Sequence, residues 1–526
     1  MASTPTTKSQ VQAYRFVIRR MESALARKDA VMLHDPLGSH KRATIAGAII
    51  ACIGMIGFLV WGLFGGQGTV PKPGSVVIAK GSGSVYVVTS DDEADKRLIP
   101  MLNMASAKLL VMAKGNGQGQ AIEPTKVDQA ALAELPRGPR TGLPNAPDFL
   151  PDPDQAATPA WAICDVAELN KALDTEDMLN AAEVRTTVLG GVTSHGAELG
   201  RDEALYVVDA SAEEPYLIYR AERGNNTGAR VVRASLAEED TAVAEMFGLD
   251  DAVPRRISTN LLNAIPEVDS LEVPELRETT PRYESGSYQV GDVLARSVPG
   301  EPAQLFVLRP SGKQRITRGA AAVLHASRYS SKEIPNATGM LTDIGSADAA
   351  DELDVDHFPA GVPQPLSFED ANRSCLSWSD SSGEQRVTVT VGSGSPAPKA
   401  PVKLAQFDGT GPRVDYFYMP PGKAAVVRGT TGPDTAEGGP IYLVSNRGVT
   451  YGIKDVATAK GLGVVNGAGD IGAAPASVLG TLPSGDFLDP AQASFVYDSI
   501  PVESGAGVNR APEEDQRQGG SGVAAD

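Results

Sequence analysis

The stretch GSHKRATIAGAIIACIGMIGFLVWGLFGG, residues 38–66, holds 22 consecutive uncharged residues from Ala43 to Phe64. A helix needs roughly 20 apolar residues to cross the hydrocarbon core of a bilayer. Lys41 and Arg42 open the run, and Trp61 lies near its far end, where indoles favour the lipid–water interface. A signal peptide fits less well, because its apolar region spans only about 7–15 residues. In addition, no A-x-A-like site follows the run, and the 42 residues before it are too long and too patterned for a leader. A buried core helix would not need so long a stretch without a charge. The span therefore reads as one retained transmembrane helix, Ala43 to Phe64.

Charge divides the chain at this span. Residues 1–42 carry eight Lys/Arg and three Asp/Glu, a balance of +5; the net charge of the whole is −18, which leaves −23 for the rest. By the positive-inside rule, residues 1–42 are expected in the cytoplasm and residues 65–526 outside. The acidic balance argues against general nucleic-acid binding, which needs a basic surface to meet phosphates. With 526 residues the chain exceeds what one hydrophobic core supports, so several folding units are expected. Its 55 glycines and 38 prolines, against 5% aromatics, point to units joined by many turns.

Ahead of the span, TTKSQVQAYRFVIRRMESALARKD has helical periodicity. Val11, Tyr14, Ile18, Met21 and Leu25 recur at intervals of three and four, placing them on one face. Thr7 with Gln10, or Ser9 with Gln12, supplies a capping box. Arg15, Arg19, Arg20, Arg27 and Lys28 decorate the flanks. Two readings stand open: a basic helix resting on anionic headgroups, or a helix that docks into a partner's groove.

Of the three cysteines, Cys52 lies inside the span as a small packing residue. Cys164 and Cys375 fall on the side assigned to the exterior, where disulfides persist, so a Cys164–Cys375 bridge is expected; two separate buried thiols are the alternative. With no CxxC and no Cys/His cluster, a zinc site is not indicated.

Four strand-like phrases resemble one another: VYVV (85–88), LYVV (205–208), LFVL (305–308) and IYLV (441–444). Each is followed at a distance by a phrase in which a short helix ends on Pro or Gly: LAELP (132–136), LNAIP (262–266), LTDIG (341–345) and LGTLP (479–483). The variable spacing indicates repeats carrying loop insertions. Further strands are expected in SYQVGDVLARS (287–297), RVTVTVG (386–392) and PGKAAVVRG (421–429). Together these predict an α+β fold: a central β-rich core built from several segments, with four α/β repeats around it. The polar, Gly-rich tail beyond Pro501 is expected to be disordered.

Catalytic signatures are absent from the sequence. A P-loop needs G-x-x-x-x-G-K-[ST], whose amides wrap phosphates; PSGKQ (310–314) and PPGKA (420–424) lack its first Gly and final Ser/Thr and read as turns entering strands. KGNGQGQ (114–120) reads as a loop. There is no G-x-S-x-G and no H-E-x-x-H, and His195, His325 and His357 do not assemble into a triad by spacing. The acidic run DAADELDVD (348–356) lacks EF-hand spacing and reads as solvated surface. No cofactor and no metal site is expected.

TKSQVQAYRFVIRRMESALARKDAVMLHDPL (7–37), followed by a single membrane helix, resembles the start of EccB proteins, core subunits of type VII (ESX) secretion machines. RLIPMLNMASAKLL (97–110), ELPRGPRTGLPNAPDFLP (134–151) and MPPGKAAVV (419–427) are also similar to that family, so the likeness runs over nearly the whole chain. It implies an inner-membrane, single-pass protein with a cytoplasmic N-terminal helix, a periplasmic bulk that pairs as a dimer, and EccC, EccD and EccE as partners. It also implies a periplasmic disulfide, for which Cys164 and Cys375 are suitably placed. ATPase activity is attributed to the family, but no residue of this chain can be named for it. The expected organisation begins with a cytoplasmic helix region (1–42) and the span (43–64). The first repeat (65–151), second repeat (204–283), third repeat (301–364) and fourth repeat (438–490) alternate with three segments of the central domain (152–203, 284–300 and 365–437). A C-terminal segment (491–526) closes the chain. The favoured function is a scaffold of the secretion complex, with Val11, Tyr14, Arg15, Ile18, Arg19, Arg20, Met21 and Leu25 meeting neighbours or lipid. Nucleotide hydrolysis and cell-wall binding are the alternatives.

Overall fold

The computed structural model describes residues 7–28, 36–64 and 71–499, apart from 90–95, 116–118, most of 169–181, 194–195, 211, 213, 223–228, 238–240, 251, 277, 330–332, 369–370, 382–383, 408–412 and 432–437. The end of the C-terminal tail, expected to be disordered, and His195 lie outside the described residues. Two helices come first, α1 (Lys8–Arg27) and α2 (Pro36–Phe64). The remainder is a β-rich body.

The body opens with an antiparallel meander of β1 (Val76–Lys80), β2 (Val85–Thr89) and β3 (Arg97–Pro100), then α3 (Met104–Ala113). Asn103 caps α3, its side chain accepting from the Ser106 N–H at 2.8 Å. A short strand β4 (Thr125–Asp128) and helix α4 (Gln129–Leu132) follow. The chain then lays down β5 (Ala160–Glu168), β6 (Glu183–Gly190) and β7 (Ala197–Glu198) of the central sheet.

A second unit comprises β8 (Glu203–Asp209), β9 (Pro215–Glu222), β10 (Ala229–Leu236), α5 (Thr241–Met246), β11 (Arg255–Ile257), α6 (Thr259–Ala264) and β12 (Glu267–Leu271). The third has β13 (Val293–Arg296), β14 (Gln304–Leu308), β15 (Lys313–Ile316), α7 (Arg318–Ala326) and α8 (Thr338–Asp343). After β16 (Gln364–Pro365), the central sheet is completed by β17 (Arg373–Ser381), β18 (Glu384–Gly392), β19 (Val402–Lys403) and β20 (Tyr416–Tyr418). The fourth unit is β21 (Ala425–Thr430), β22 (Ile441–Val444), β23 (Thr450–Ile453), α9 (Val456–Leu462), β24 (Gly472–Pro475) and α10 (Ala476–Leu479).

One plan repeats. Three antiparallel strands lead into a helix, and a return strand runs parallel to the first strand: β11 beside β8, β24 beside β21, and a bridge from Ala295 to Asn336 in the third unit. A short second helix follows, and in every unit a leucine at the matching place in it is buried: Leu132, Leu262, Leu341 and Leu479. These are the leucines that open the four stop phrases.

The structure corrects the reading of the strands. VYVV, LFVL and IYLV sit in β2, β14 and β22, the middle strands of their meanders, but LYVV sits in β8, the first strand; its counterpart is YLIY (216–219) in β9. The segment 284–300 contributes no strand to the central sheet, because β13 pairs with β14. PGKAAVVRG is not central either: β21 pairs with β22 and opens the fourth unit. The reason is common to all three. A motif on the middle strand leaves the first strand outside the unit, and nothing in an isolated strand's composition says which neighbour will pair with it.

Packing follows from period-2 alternation. The central sheet runs β19-β20-β6-β5-β17-β18-β7. Trp161 and Ile163 of β5 point to a core shared with Leu205 and Leu261 of the second unit and Val427 and Leu479 of the fourth, while Ala162 and Cys164 point to the opposite face. The first and fourth units share a second core through α3 and α9, and the second and third share another around Phe247 and Leu324.

Candidate membrane span, docking helix and internal ties

α1 begins where the sequence offers a cap: the Thr7 N–H donates to Gln10 Oε1 at 2.9 Å. Lys28 ends it in the left-handed conformation. Val11, Tyr14, Ile18, Met21 and Leu25 fall within an arc of about 80°, at 100° per residue, and run about 21 Å along the axis. All five are exposed, from 38% for Val11 to 81% for Leu25. Val17, also exposed, widens the stripe and is not singled out by the spacing. Arg15, Arg19 and Arg20 are exposed beside it.

α2 has no polar face. Ile45, Ile49, Ile53 and Phe58 are each at least half exposed, and the window Arg42–Val60 has no residue buried against protein. A helix that is apolar all round is stable only inside a large core or in lipid. By length and composition this one can cross a membrane, since 22 residues rise about 33 Å against a hydrocarbon core of about 30 Å.

In the body, Cys164 and Cys375 form a disulfide across a sequence separation of 211. They sit directly opposite one another in the register of β5 and β17, and both are fully buried. The bridge ties the strands of the central sheet that precede the second and third units to those that follow them.

A second tie lies one residue on, and it is not singled out in the sequence analysis. Alternation turns Asp165 to the face of Trp161 and Ile163, toward the second unit. Its Oδ1 accepts from the Thr186 hydroxyl at 2.8 Å and the Ser258 hydroxyl at 2.9 Å, and its Oδ2 accepts from the Ser258 N–H at 2.6 Å. Ser258 is also the N-cap of α6. Burial pushes the Asp165 carboxyl up to about 6; the bonds from Ser258 and Thr186 oppose this, and the neighbouring Asp415 adds to it. Between pH 4 and 6 the folded protein therefore holds a proton that the unfolded chain has released, and this group's contribution to stability falls as pH rises through that window. The wild-type minus Asp165→Asn stability difference is expected to change by about 3 kcal/mol between pH 4 and 7, measured by denaturant unfolding; a difference flat with pH would contradict the assignment.

Arg255 makes a third tie. Its Nη1 donates to the Ala371 carbonyl at 2.6 Å and its Nη2 to that of Leu366 at 2.7 Å, and the guanidinium lies 5.4 Å from the Phe368 ring centroid. Burial lowers this guanidinium to about 10. A polar residue amid apolar neighbours, as in AWAICDVAE, is the available signal for Asp165; RRIS gives none for Arg255.

The glycine–lysine fragments are turns. In PSGKQ the turn enters β15, and Lys313 Nζ donates to the carbonyl of Leu341 and, at 2.5 Å, to that of Ile344, closing the C-terminal end of α8. In PPGKA, Gly422 takes positive φ (75°) and Lys423 Nζ donates to the Asp154 carbonyl at 3.1 Å. Both ammonium groups are thus held by main-chain oxygens. His325 packs beside Tyr329 and His357 beside Phe358, in separate surroundings. In the acidic run, Asp348, Glu352, Asp354 and Asp356 are exposed. Among the described residues no group of three or more His, Cys, Asp or Glu is arranged for a metal ion.

A family model described as type VII secretion system ESX-1, transport TM domain B, matches residues 3–502. The ESX-2 secretion system ATPase EccB2 of Mycobacterium tuberculosis is 28% identical over 516 residues, covering 94% of this chain and 96% of that protein. The ESX-3 secretion system ATPase EccB3 of the same organism is 27% identical over 538 residues, covering 95% and 91%. Among solved structures, a chain of an intact ESX-5 inner membrane complex has a TM-score of 0.66 at 23% identity, covering 97% of this chain and 99% of that one. The EccB3 dimer from the ESX-3 core complex has a TM-score of 0.63 at 22% identity, covering 80% and 100%. These likenesses show the fold, an apolar helix ahead of a β-rich body.

Proposed function

The chain belongs to the EccB family of type VII secretion components, and from that membership we propose that it is a single-pass scaffold subunit of an ESX inner-membrane complex. The observation that carries this reading is α2, whose apolar side chains face outward on all sides directly after a basic helix. In this reading residues 1–42 are cytoplasmic and the body is periplasmic. The α1 stripe docks on neighbouring subunits of the EccC, EccD and EccE type, with Arg15, Arg19 and Arg20 meeting acidic partner groups or lipid headgroups. The body pairs with a second copy, as its relative does in the EccB3 dimer.

Arg19→Glu with Arg20→Glu is expected to leave the chain in the membrane and to strip neighbouring subunits from it on affinity purification. Intact recovery of those subunits would contradict the docking role.

The naming of relatives as ATPases favours a second reading, nucleotide hydrolysis. Phosphate release by the purified chain, abolished by a substitution that leaves its unfolding curve unchanged, would support it. The engaged lysines of both glycine turns weigh against a phosphate cradle at either place.

A further inference from the structure

Asn466 is the one asparagine among the described residues that is followed by glycine. It lies in the exposed loop of the fourth unit that joins α9 to β24, just ahead of a single 3-10 turn, Ala468–Asp470. Asparagine is thermally labile, because the main-chain nitrogen of the next residue can attack its side-chain amide. Glycine favours that attack, since no Cβ crowds its nitrogen. The reaction also needs the side-chain amide and the Gly467 N–H to be unengaged.

Both are. Among the described residues neither the Asn466 side chain nor the Gly467 N–H has a hydrogen-bond partner. Gly467 is extended (φ −168°, ψ −177°), and a Cβ there would meet nothing within 4 Å. The Asn466 N–H donates to Asp470 Oδ2 at 2.8 Å, and the Asp470 N–H donates to the Gly467 carbonyl at 3.3 Å. The loop is thus closed around the pair without tying either reacting group. Other asparagines are held: Asn103 and Asn336 each use both polar side-chain atoms in hydrogen bonds, and Asn372 Nδ2 donates to the Ala167 carbonyl at 3.2 Å.

We propose that Asn466 is a site of spontaneous modification, converting to isoaspartate and aspartate. The Gly467 nitrogen gives its proton to hydroxide and bonds to Asn466 Cγ; the Cγ–Nδ2 bond breaks and Nδ2 leaves as ammonia. Water then opens the cyclic imide. Breaking the bond from the Gly467 nitrogen to Cγ gives aspartate, and breaking its bond to the main-chain carbonyl carbon gives isoaspartate. Either product puts a new carboxylate near Asp470, and isoaspartate adds one methylene to the main chain. Val464 and Val465 before the loop and Ala473 and Ala474 after it are buried, so the lengthened segment cannot slide past its anchors. The distortion falls on the loop and on β24, which runs parallel to β21 as the return strand.

The test is prolonged incubation of the full chain in lipid nanodiscs at pH 7 and pH 8, followed by peptide mass spectrometry and enzymatic methylation of isoaspartate. The peptide carrying Asn466 is expected to gain the mass of an amide-to-acid exchange ahead of every other described asparagine. The gain is expected to be about tenfold faster at pH 8, following the population of the Gly467 amide anion. Gly467→Ala, at an extended position with room for a Cβ, is expected to fold as the wild type does and to slow the gain severalfold. Hydrogen exchange at β24 is expected to rise severalfold in the converted chain. An unchanged Asn466 peptide, an equal rate in Gly467→Ala, or aspartate without isoaspartate would each overturn the proposal, the last by showing direct hydrolysis of the side chain. Unchanged exchange at β24 would overturn the effect on the return strand.

Discussion

Ile49→Arg combined with Ile53→Arg is expected to release the chain from the alkali-washed membrane pellet, while Ile49→Leu with Ile53→Leu leaves it there. Both isoleucines lie within the central portion of the apolar window and are more than half exposed on the helix, with no protein core to shield a replacement. An arginine at the centre of a membrane helix costs about 2.5–3.5 kcal/mol on the insertion scale, so the pair costs about 6 kcal/mol including the lost apolar groups. That is enough to defeat insertion of a lone span. Retention of the arginine variant in the pellet would mean that something other than α2 holds the protein to the membrane.

The second large effect belongs to the disulfide. Cys164→Ala with Cys375→Ala is expected to lower the stability of the body by about 3–5 kcal/mol, read from denaturant midpoints. A bridge closing 211 residues removes about 5 kcal/mol of chain entropy from the unfolded state in the entropic account. The loop contains both the second and the third units, so the unfolding of β17 and β18 from β5 and β6 should become less cooperative. The paired register of β5 and β17 persists through backbone bonds, so the variant should still fold. A loss below about 1 kcal/mol would show that the central sheet does not need its bridge.

The features legible in the sequence are those governed by local or compositional rules. The span needs only an uncharged run of the right length. α1 needs only three-and-four spacing and a Thr-x-x-Gln start. The four stop phrases identify the second helices because each opens with a leucine that must be buried. Pairing is harder. VYVV and LYVV read alike, yet one lies in the middle strand of its unit and the other in the first, because the choice is made by long-range partners. SYQVGDVLARS and PGKAAVVRG are misplaced for the same reason: an isolated strand does not specify its sheet. Asp165 and Arg255 illustrate a further limit. Each is buried by contacts with residues about 90 or more positions away, Ser258 and Ala371, and local spacing carries no trace of such ties.

The position of the two ends relative to the bilayer tests the account most directly. Alkaline phosphatase, active only after oxidative folding outside the cytoplasm, would be fused after Asp526 or before Met1, and the N-terminal sequence of the membrane-bound chain determined. The account predicts an active C-terminal fusion, a silent N-terminal fusion and a mature protein that begins ahead of Arg42. A chain beginning beyond Phe64, or a C-terminal fusion silent while the N-terminal one is active, would contradict it.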